Sequence, residues 1–139
     1  MPLVFPSAEW VVKYGEAINA NPEYLTGAAD WTYGVVSLIV KALPPALPED
    51  FGIWLDLDRG VCREAKAVTA EEAAKAQFCI TGEYARWKQV IRKELEPIKG
   101  MMQGKLKLKG DLPTIVRAVK AAQEMVNSAT TLDVRFLDE

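Results

Sequence analysis

The stretch MMQGKLKLKGD, residues 101–111, alternates lysines and leucines between two glycines. Successive side chains of a strand point to opposite faces, so the lysines would lie on one face and Leu106 and Leu108 on the other. Gly104 and Gly110 would let the chain turn sharply at either end. The alternation therefore predicts a short strand with a solvated lysine row and a leucine row that faces helices.

N-cap residues and apolar residues at helical spacing predict the helices of the chain. The predicted helices run from Ser7 to Asn19, over 22–28, shortly after the capping box at 69–72, from 84 to about 95, and over 99–103. Pro97 is expected to end or kink the fourth of these. Asp111 is the expected N-cap of the last helix. Its predicted apolar stripe is Leu112, Ile115, Val116, Val119, Ala122, Met125 and Val126.

Alternation and β-branched runs predict the strands, at 31–43, 51–58, 61–68, 77–81 and 105–109. The run VVSLIV, residues 35–40, is apolar on both faces and is therefore expected inside a sheet. The order of elements predicts one α+β domain over 1–139, with about five mixed, mainly antiparallel strands. Its core is expected over about 8–128. The tail, 129–139, is either loose or contains a late strand in LDVRF.

Composition and charge exclude several classes of protein. The net charge is −2 and the pI about 5.3, whereas nucleic-acid binders usually carry a basic excess. No apolar run approaches the ~20 residues of a membrane span, and the N-terminal MPLVFPSAEW does not resemble a signal peptide. We therefore expect a cytoplasmic protein in which Cys62 and Cys79 are free.

The chain contains no histidine, which removes the Ser-His-Asp and Cys-His catalytic arrangements. Two cysteines alone do not make a zinc site, and no glycine-rich phosphate-binding motif is present. Asp56 and Asp58 alternate with leucines, so an exposed strand face explains them. The sequence thus predicts no catalysis, no metal and no cofactor.

Three consecutive segments resemble the sterol-carrier-protein type-2 family of lipid-binding domains. They are FCITGEYARWKQVI (78–91), MMQGKLKLKGD (101–111) and LPTIVRAVKAAQEMV (112–126), and the hairpin FGIWLDLDRGVCREAKAV (51–68) is similar as well. In that family a strand ending in Thr-Gly or Ser-Gly leads into an amphipathic helix, a glycine-lysine strand and a final helix.

The resemblance implies a sheet covered on one face by about five helices, with an apolar tunnel between the two layers. It also implies non-catalytic binding and transfer of fatty acids, fatty acyl-CoAs, sterols or other lipids. Methionine would suit such a tunnel because it adapts to different shapes, whereas the residues alone, without the resemblance, favour simple core packing. The implied ligand-binding residues are Trp87, Ile91, Met101, Met102, Gln103, Leu106, Leu108, Ile115, Val119 and Met125.

Two features separate the chain from the better-known members of that family. It ends without a peroxisomal signal, and its N-terminal segment resembles stand-alone prokaryotic members, which makes fatty acyl chains or their CoA esters better candidates than sterol. Lys99 and the lysines of 105–109 could meet a CoA phosphate or, transiently, an anionic membrane surface. A merely solvated strand face is the alternative.

Two other kinds of function fit the same residues. An interaction or dimerisation module would have a collapsed tunnel and would use Trp31, Tyr33 and Trp54 as a partner surface. An enzyme would use Asp or Glu as a general acid or base in the tunnel. The sequence leaves open the natural ligand, the state of the empty tunnel, and whether the protein is a monomer or a homodimer.

Overall fold

The computed structural model describes residues 2–138 and contains seven strands and seven helices within that range. The strands are β1 (Leu3–Phe5), β2 (Gly34–Lys41), β3 (Phe51–Asp58), β4 (Val61–Val68), β5 (Phe78–Glu83), β6 (Lys107–Lys109) and β7 (Val134–Phe136). The helices are α1 (Ala8–Asn19), α2 (Pro22–Gly27), α3 (Ala70–Ala73), α4 (Tyr84–Ile91), α5 (Pro97–Met102), α6 (Leu112–Arg117) and α7 (Val119–Thr130). The α+β class is confirmed.

Five strands form one mixed sheet in the order β4-β3-β2-β5-β6. β2 lies at the centre and pairs with β5 in parallel, whereas the other pairs are antiparallel. The apolar run 35–40 is therefore inside the sheet, as predicted. β1 and β7 form a separate parallel pair. Of the two alternatives for the last ten residues, the late strand is found.

Side chains alternate between the faces of the sheet, and each face has its own apolar cluster. Val36 and Val40 of β2 pack with six of the seven helices in the main core. Ile39 of the same strand and Cys79 of β5 instead pack with Ala73 of α3. The expectation that helices cover only one face is therefore incomplete, because α3 covers part of the second face.

Local capping explains where several helices begin. The Ser7 hydroxyl accepts a hydrogen bond from the Trp10 amide at 3.1 Å, which confirms the predicted N-cap of α1. Glu96 caps α5, and Pro97 follows as its first residue. The prediction that Pro97 ends the preceding helix is wrong, because α4 already ends at Ile91.

The predicted last helix is divided at Ala118 into α6 and α7. The division shifts the helical phase, so the predicted apolar stripe is wrong in part. Leu112, Val116 and Val119 are 36%, 40% and 42% exposed. Across residues 2–138, no helix has both the length and the apolar character needed to cross a bilayer.

A candidate ligand-binding cavity

A cavity of about 100 Å³ lies between the five-stranded sheet and the helices. The sheet contributes Val36, Leu38, Leu57 and Ile80. The helices contribute Tyr14, Tyr24, Trp87, Val90, Ala121 and Met125, among others. Successive side chains of β2 and β5 point to opposite faces of the sheet, so each strand presents only one row of side chains to the cavity. The helices close the other side of the cavity.

Three of the large lining side chains have their polar atoms bonded to the backbone. The Tyr14 hydroxyl donates to the Met125 carbonyl at 3.0 Å. The indole N–H of Trp87 donates to the Ile39 carbonyl at 2.9 Å, and that of Trp31 to the Gly34 carbonyl at 3.0 Å. These bonds occupy the donors of all three side chains, so the lining offers mainly apolar surface.

Charge is missing from this lining as well: every lining residue found among 2–138 is uncharged. Burial raises the pKa of both Tyr14 and Tyr24 far above the usual range, so both phenols stay neutral at physiological pH. A site of this kind can hold an apolar chain by burial, but it supplies no acid, base or nucleophile at neutral pH. Within the described residues, no cluster of carboxylates and cysteines could hold a metal ion.

The cavity is smaller than the ~300–1,000 Å³ that is typical of ligand pockets. A second cavity of about 40 Å³ adjoins it, and Tyr14, Leu38, Trp87, Val90 and Val126 line both. Met101 and Met125 also border the larger cavity. Methionine changes rotamer at low cost, so these side chains can widen the space when a ligand enters.

Four of the ten predicted ligand-binding residues, Trp87, Met101, Ile115 and Met125, line the larger cavity. Ile91 lines the adjoining one. Leu106 is fully buried beside Gly82 and Gly100, and Leu108 is half-buried against the same core. Met102, Gln103 and Val119 lie at the surface.

Helix geometry explains the misplaced residues. Successive residues of a helix point about 100° apart, so Met101 and Met102 of α5 cannot both face the cavity. Met102 is 67% exposed, and Gln103 follows it as the exposed C-cap. Val119 is turned outward because α7 begins with it, after the division at Ala118. The structure therefore places Met102, Gln103 and Val119 at the surface and not on the tunnel wall.

None of the lining residues that precede residue 84 was predicted from the sequence. The missed residues are Tyr14, Tyr24, Trp31, Val36, Leu38, Leu57 and Ile80, together with Val90, Pro97, Ala118, Ala121, Ala122 and Val126. One signal was available: α1 places Trp10, Tyr14 and Ile18 on one buried face. No sequence pattern indicated Ala118, Ala121 and Ala122, because small side chains line a cavity by leaving it unfilled.

Comparisons with known proteins agree with this geometry. A model of the SCP-2 sterol transfer family matches residues 16–123. A crystal structure of sterol carrier protein 2 is 35% identical, with a TM-score of 0.83, and the match covers 91% of this chain and 97% of that one. A conserved hypothetical protein from Thermus thermophilus, described as possibly a sterol carrier protein, is 34% identical with a TM-score of 0.84, covering 93% and 90% of the two chains.

A more distant structure, sterol carrier protein domain 2 of Helicoverpa armigera, shares the fold at 17% identity and a TM-score of 0.60, over 86% of this chain and 87% of that one. No curated protein sequence shows significant similarity to the chain. The family match covers most of the chain, and two solved structures exceed 30% identity over nearly its whole length. The chain therefore belongs to the SCP-2 sterol transfer family.

Proposed function

We propose that the protein binds a long apolar ligand, a fatty acid or a fatty acyl-CoA, in the cavity between sheet and helices. It would transfer or present this ligand without covalent chemistry. The observation that carries the proposal is the uncharged lining, in which the Tyr14, Trp31 and Trp87 donors are already bonded to backbone carbonyls. Such a lining favours an alkyl chain over a polar metabolite.

Burial of a chain of about sixteen carbons would supply enough free energy for binding. Each buried CH₂ contributes ~0.8 kcal/mol, and association costs at least ~4 kcal/mol, which leaves affinity in about the micromolar range. The space observed is too small for the whole chain, so the methionine side chains would move on binding. This is the physical reason to expect a range of accepted chain lengths.

The lysine row supports a weaker part of the proposal. Lys109 donates to the Ala74 carbonyl, whereas Lys105 and Lys107 are exposed. The exposed ammonium groups of Lys105 and Lys107 could meet the phosphates of CoA or, transiently, an anionic membrane surface. A cytoplasmic location also belongs to the proposal, and buried free Cys62 and Cys79 fit a reducing compartment.

One of the three residues expected to form the partner surface of the interaction module is buried. Trp31 is 7% exposed and borders the cavity, so it cannot serve as a partner surface. Tyr33 is 43% exposed, and Trp54 is half-buried with the Lys66 ammonium 5.9 Å from its ring centre. Neither residue offers a large apolar patch on its own.

Native mass spectrometry tests the proposal directly, with a denaturing run to weigh any released molecule. We expect a complex whose added mass is that of a fatty acid or acyl-CoA, either as purified or after incubation with a mixed lipid extract. A mass that stays that of the protein alone after such incubation would contradict lipid binding. Together with a stable dimer, that result would favour the interaction module.

A further inference from the structure

A surface depression of about 290 Å³ lies between α7 and the segment that links α4 to α5. Pro97 and Val126 line both this depression and the central cavity. Lys93, Gln123 and Asn127 are among the polar residues around it. A ligand whose chain fills the cavity could therefore leave its polar end in this depression after passing only two side chains.

The polar groups of the depression favour a negative charge. Lys93 is exposed, and within residues 2–138 its ammonium group forms no ion pair. The carboxylate of Glu96 accepts hydrogen bonds from the Ile98 and Lys99 amides at 3.2 and 2.8 Å, so it is turned toward α5. Gln123 adds an exposed amide. The depression thus combines a cation and amide donors with a carboxylate that is already bonded.

Lys93 is also held in an unusual backbone conformation. Its φ is +62°, in the left-handed region that most residues other than glycine avoid. The Lys93 and Glu94 amides donate to the Val90 and Gln89 carbonyls at 3.0 and 2.8 Å, which fixes this turn at the end of α4. The lysine is therefore placed at the rim by a defined turn.

The depression on the opposite side is less suitable for an anion. It has a volume of about 470 Å³ and shares Trp31, Ala118 and Ala121 with the cavity. Its charged residues are Arg117 and Asp30. Arg117 donates to the Thr114 hydroxyl at 3.4 Å. The Asp30 carboxylate forms no hydrogen bond or ion pair within the described residues, so it repels an anion without the amide donors that partly offset the charge of Glu96 in the other depression.

We infer that the depression at Lys93 holds the carboxylate of a bound fatty acid, with its chain passing between Pro97 and Val126 into the cavity. The inference rests on the proposed function and names the end of the site where the head group lies. The Lys93 ammonium pairs with the carboxylate, and the Gln123 amide donates to it. Lys93 is then a specificity-determining residue, because it raises the affinity for a fatty acid above that for a neutral lipid of equal chain length.

The test compares laurate with dodecanol, which share a chain and differ in head-group charge. Lys93→Asn keeps a residue that tolerates positive φ, and Lys93→Glu reverses the charge. We expect Lys93→Asn to raise the Kd for laurate about 5-fold and Lys93→Glu to raise it more, since partly exposed ion pairs have this magnitude. The Kd for dodecanol should stay unchanged. Arg117→Gln, at the opposite depression, is the matched control and should alter neither Kd.

Three outcomes would overturn the assignment. Equal weakening of laurate and dodecanol would mean that Lys93 acts on the fold or the chain, and weakening of laurate by Arg117→Gln alone would place the head group at the other end. Unchanged laurate affinity in both Lys93 variants would also overturn it. Failure of the wild-type protein to bind either compound would contradict the proposed function itself, which keeps the two failures distinguishable.

Discussion

The hydroxyl of Tyr14 donates a 3.0 Å hydrogen bond to the backbone carbonyl of Met125, 111 residues further along the chain. This bond joins α1 to α7 at the wall of the cavity, with Tyr14 5% exposed. Because both residues line the cavity, the bond holds two of its walls at a fixed separation. This one contact therefore contributes both to the stability of the fold and to the shape of the site.

Replacing Tyr14 by phenylalanine should lower the free energy of unfolding by about 1 kcal/mol, since the ring stays and one buried hydrogen bond is lost. Urea unfolding of the variant and the wild type measures this difference. Tyr33→Phe is the matched control, because Tyr33 is 43% exposed and should cost nothing measurable. Equal effects at the two positions would contradict the role given to the bond.

The stability of the protein should fall at alkaline pH. Burial raises the pKa of the Cys62 thiol to about 11 and lifts the pKa of Tyr14 and Tyr24 well above the usual range. A raised pKa means that the fold holds the neutral form, so its contribution is complete below the unfolded pKa and is lost as pH rises. For Cys62 the loss begins at about pH 8.5, and for the tyrosines at about pH 10.

Urea unfolding at a series of pH values measures this loss. The Cys62→Ala variant is the control, and its decline between about pH 8.5 and 11 should be smaller than that of the wild type. A free energy of unfolding that stays constant from about pH 8 to 11 would show that these groups are not buried as described.

Met101 and Met102 form a matched pair, because only Met101 lines the cavity while Met102 is 67% exposed. Met101→Trp should fill the cavity and weaken the binding of long fatty acids, by about 10-fold or more, since overfilling of an apolar site forces strain. Met102→Trp should leave binding unchanged. Binding isotherms with laurate and palmitate measure both effects. Weaker binding in Met102→Trp alone would show that Met102, and not Met101, forms the wall of the tunnel.

Gly104 and Gly110 flank the lysine-leucine stretch, and both have positive φ, of +76° and +133°. A Cβ at residue 104 would meet little, whereas one at residue 110 would lie 2.7 Å from a Phe78 ring carbon and 3.0 Å from the Gln77 carbonyl oxygen. Gly104→Ala should therefore cost about 1 kcal/mol and Gly110→Ala about 3 kcal/mol or more. Thermal unfolding of the two variants ranks them. The reverse order would contradict the close packing at Gly110.

The sequence allowed the sheet to be predicted because strand patterns are local. Alternation over 51–58 located β3, and the run at 35–40 located the central strand. β1 and β7 could not be found in the same way, because each has three residues and they pair across 131 positions of the chain, as Leu3 with Val134. Such short elements are specified by their tertiary partners.

The cavity was predictable only in its C-terminal part, where the resemblance supplied residues. The predicted apolar stripe failed at Leu112, Val116 and Val119, on either side of Ala118, because the division between α6 and α7 leaves no apolar signature in the sequence. Glu124 shows the same limit: it is 7% exposed on α7, accepting hydrogen bonds from Asn21 at 3.2 Å and Lys120 at 3.1 Å. A periodic pattern assigns such a carboxylate to solvent, and only its partners explain its burial.

The central claim is that an apolar chain occupies the cavity, and the methionine methyl groups report on this directly. The chain has four methionines, and Met101 and Met125 line the cavity while Met102 does not. We would label the methionine methyl groups with ¹³C, assign them by substitution, and titrate the protein with palmitate. If palmitate enters the cavity, the Met101 and Met125 signals shift saturably while the Met102 signal does not move. Shifts confined to Met102, or no shift at saturating palmitate, would contradict the central claim.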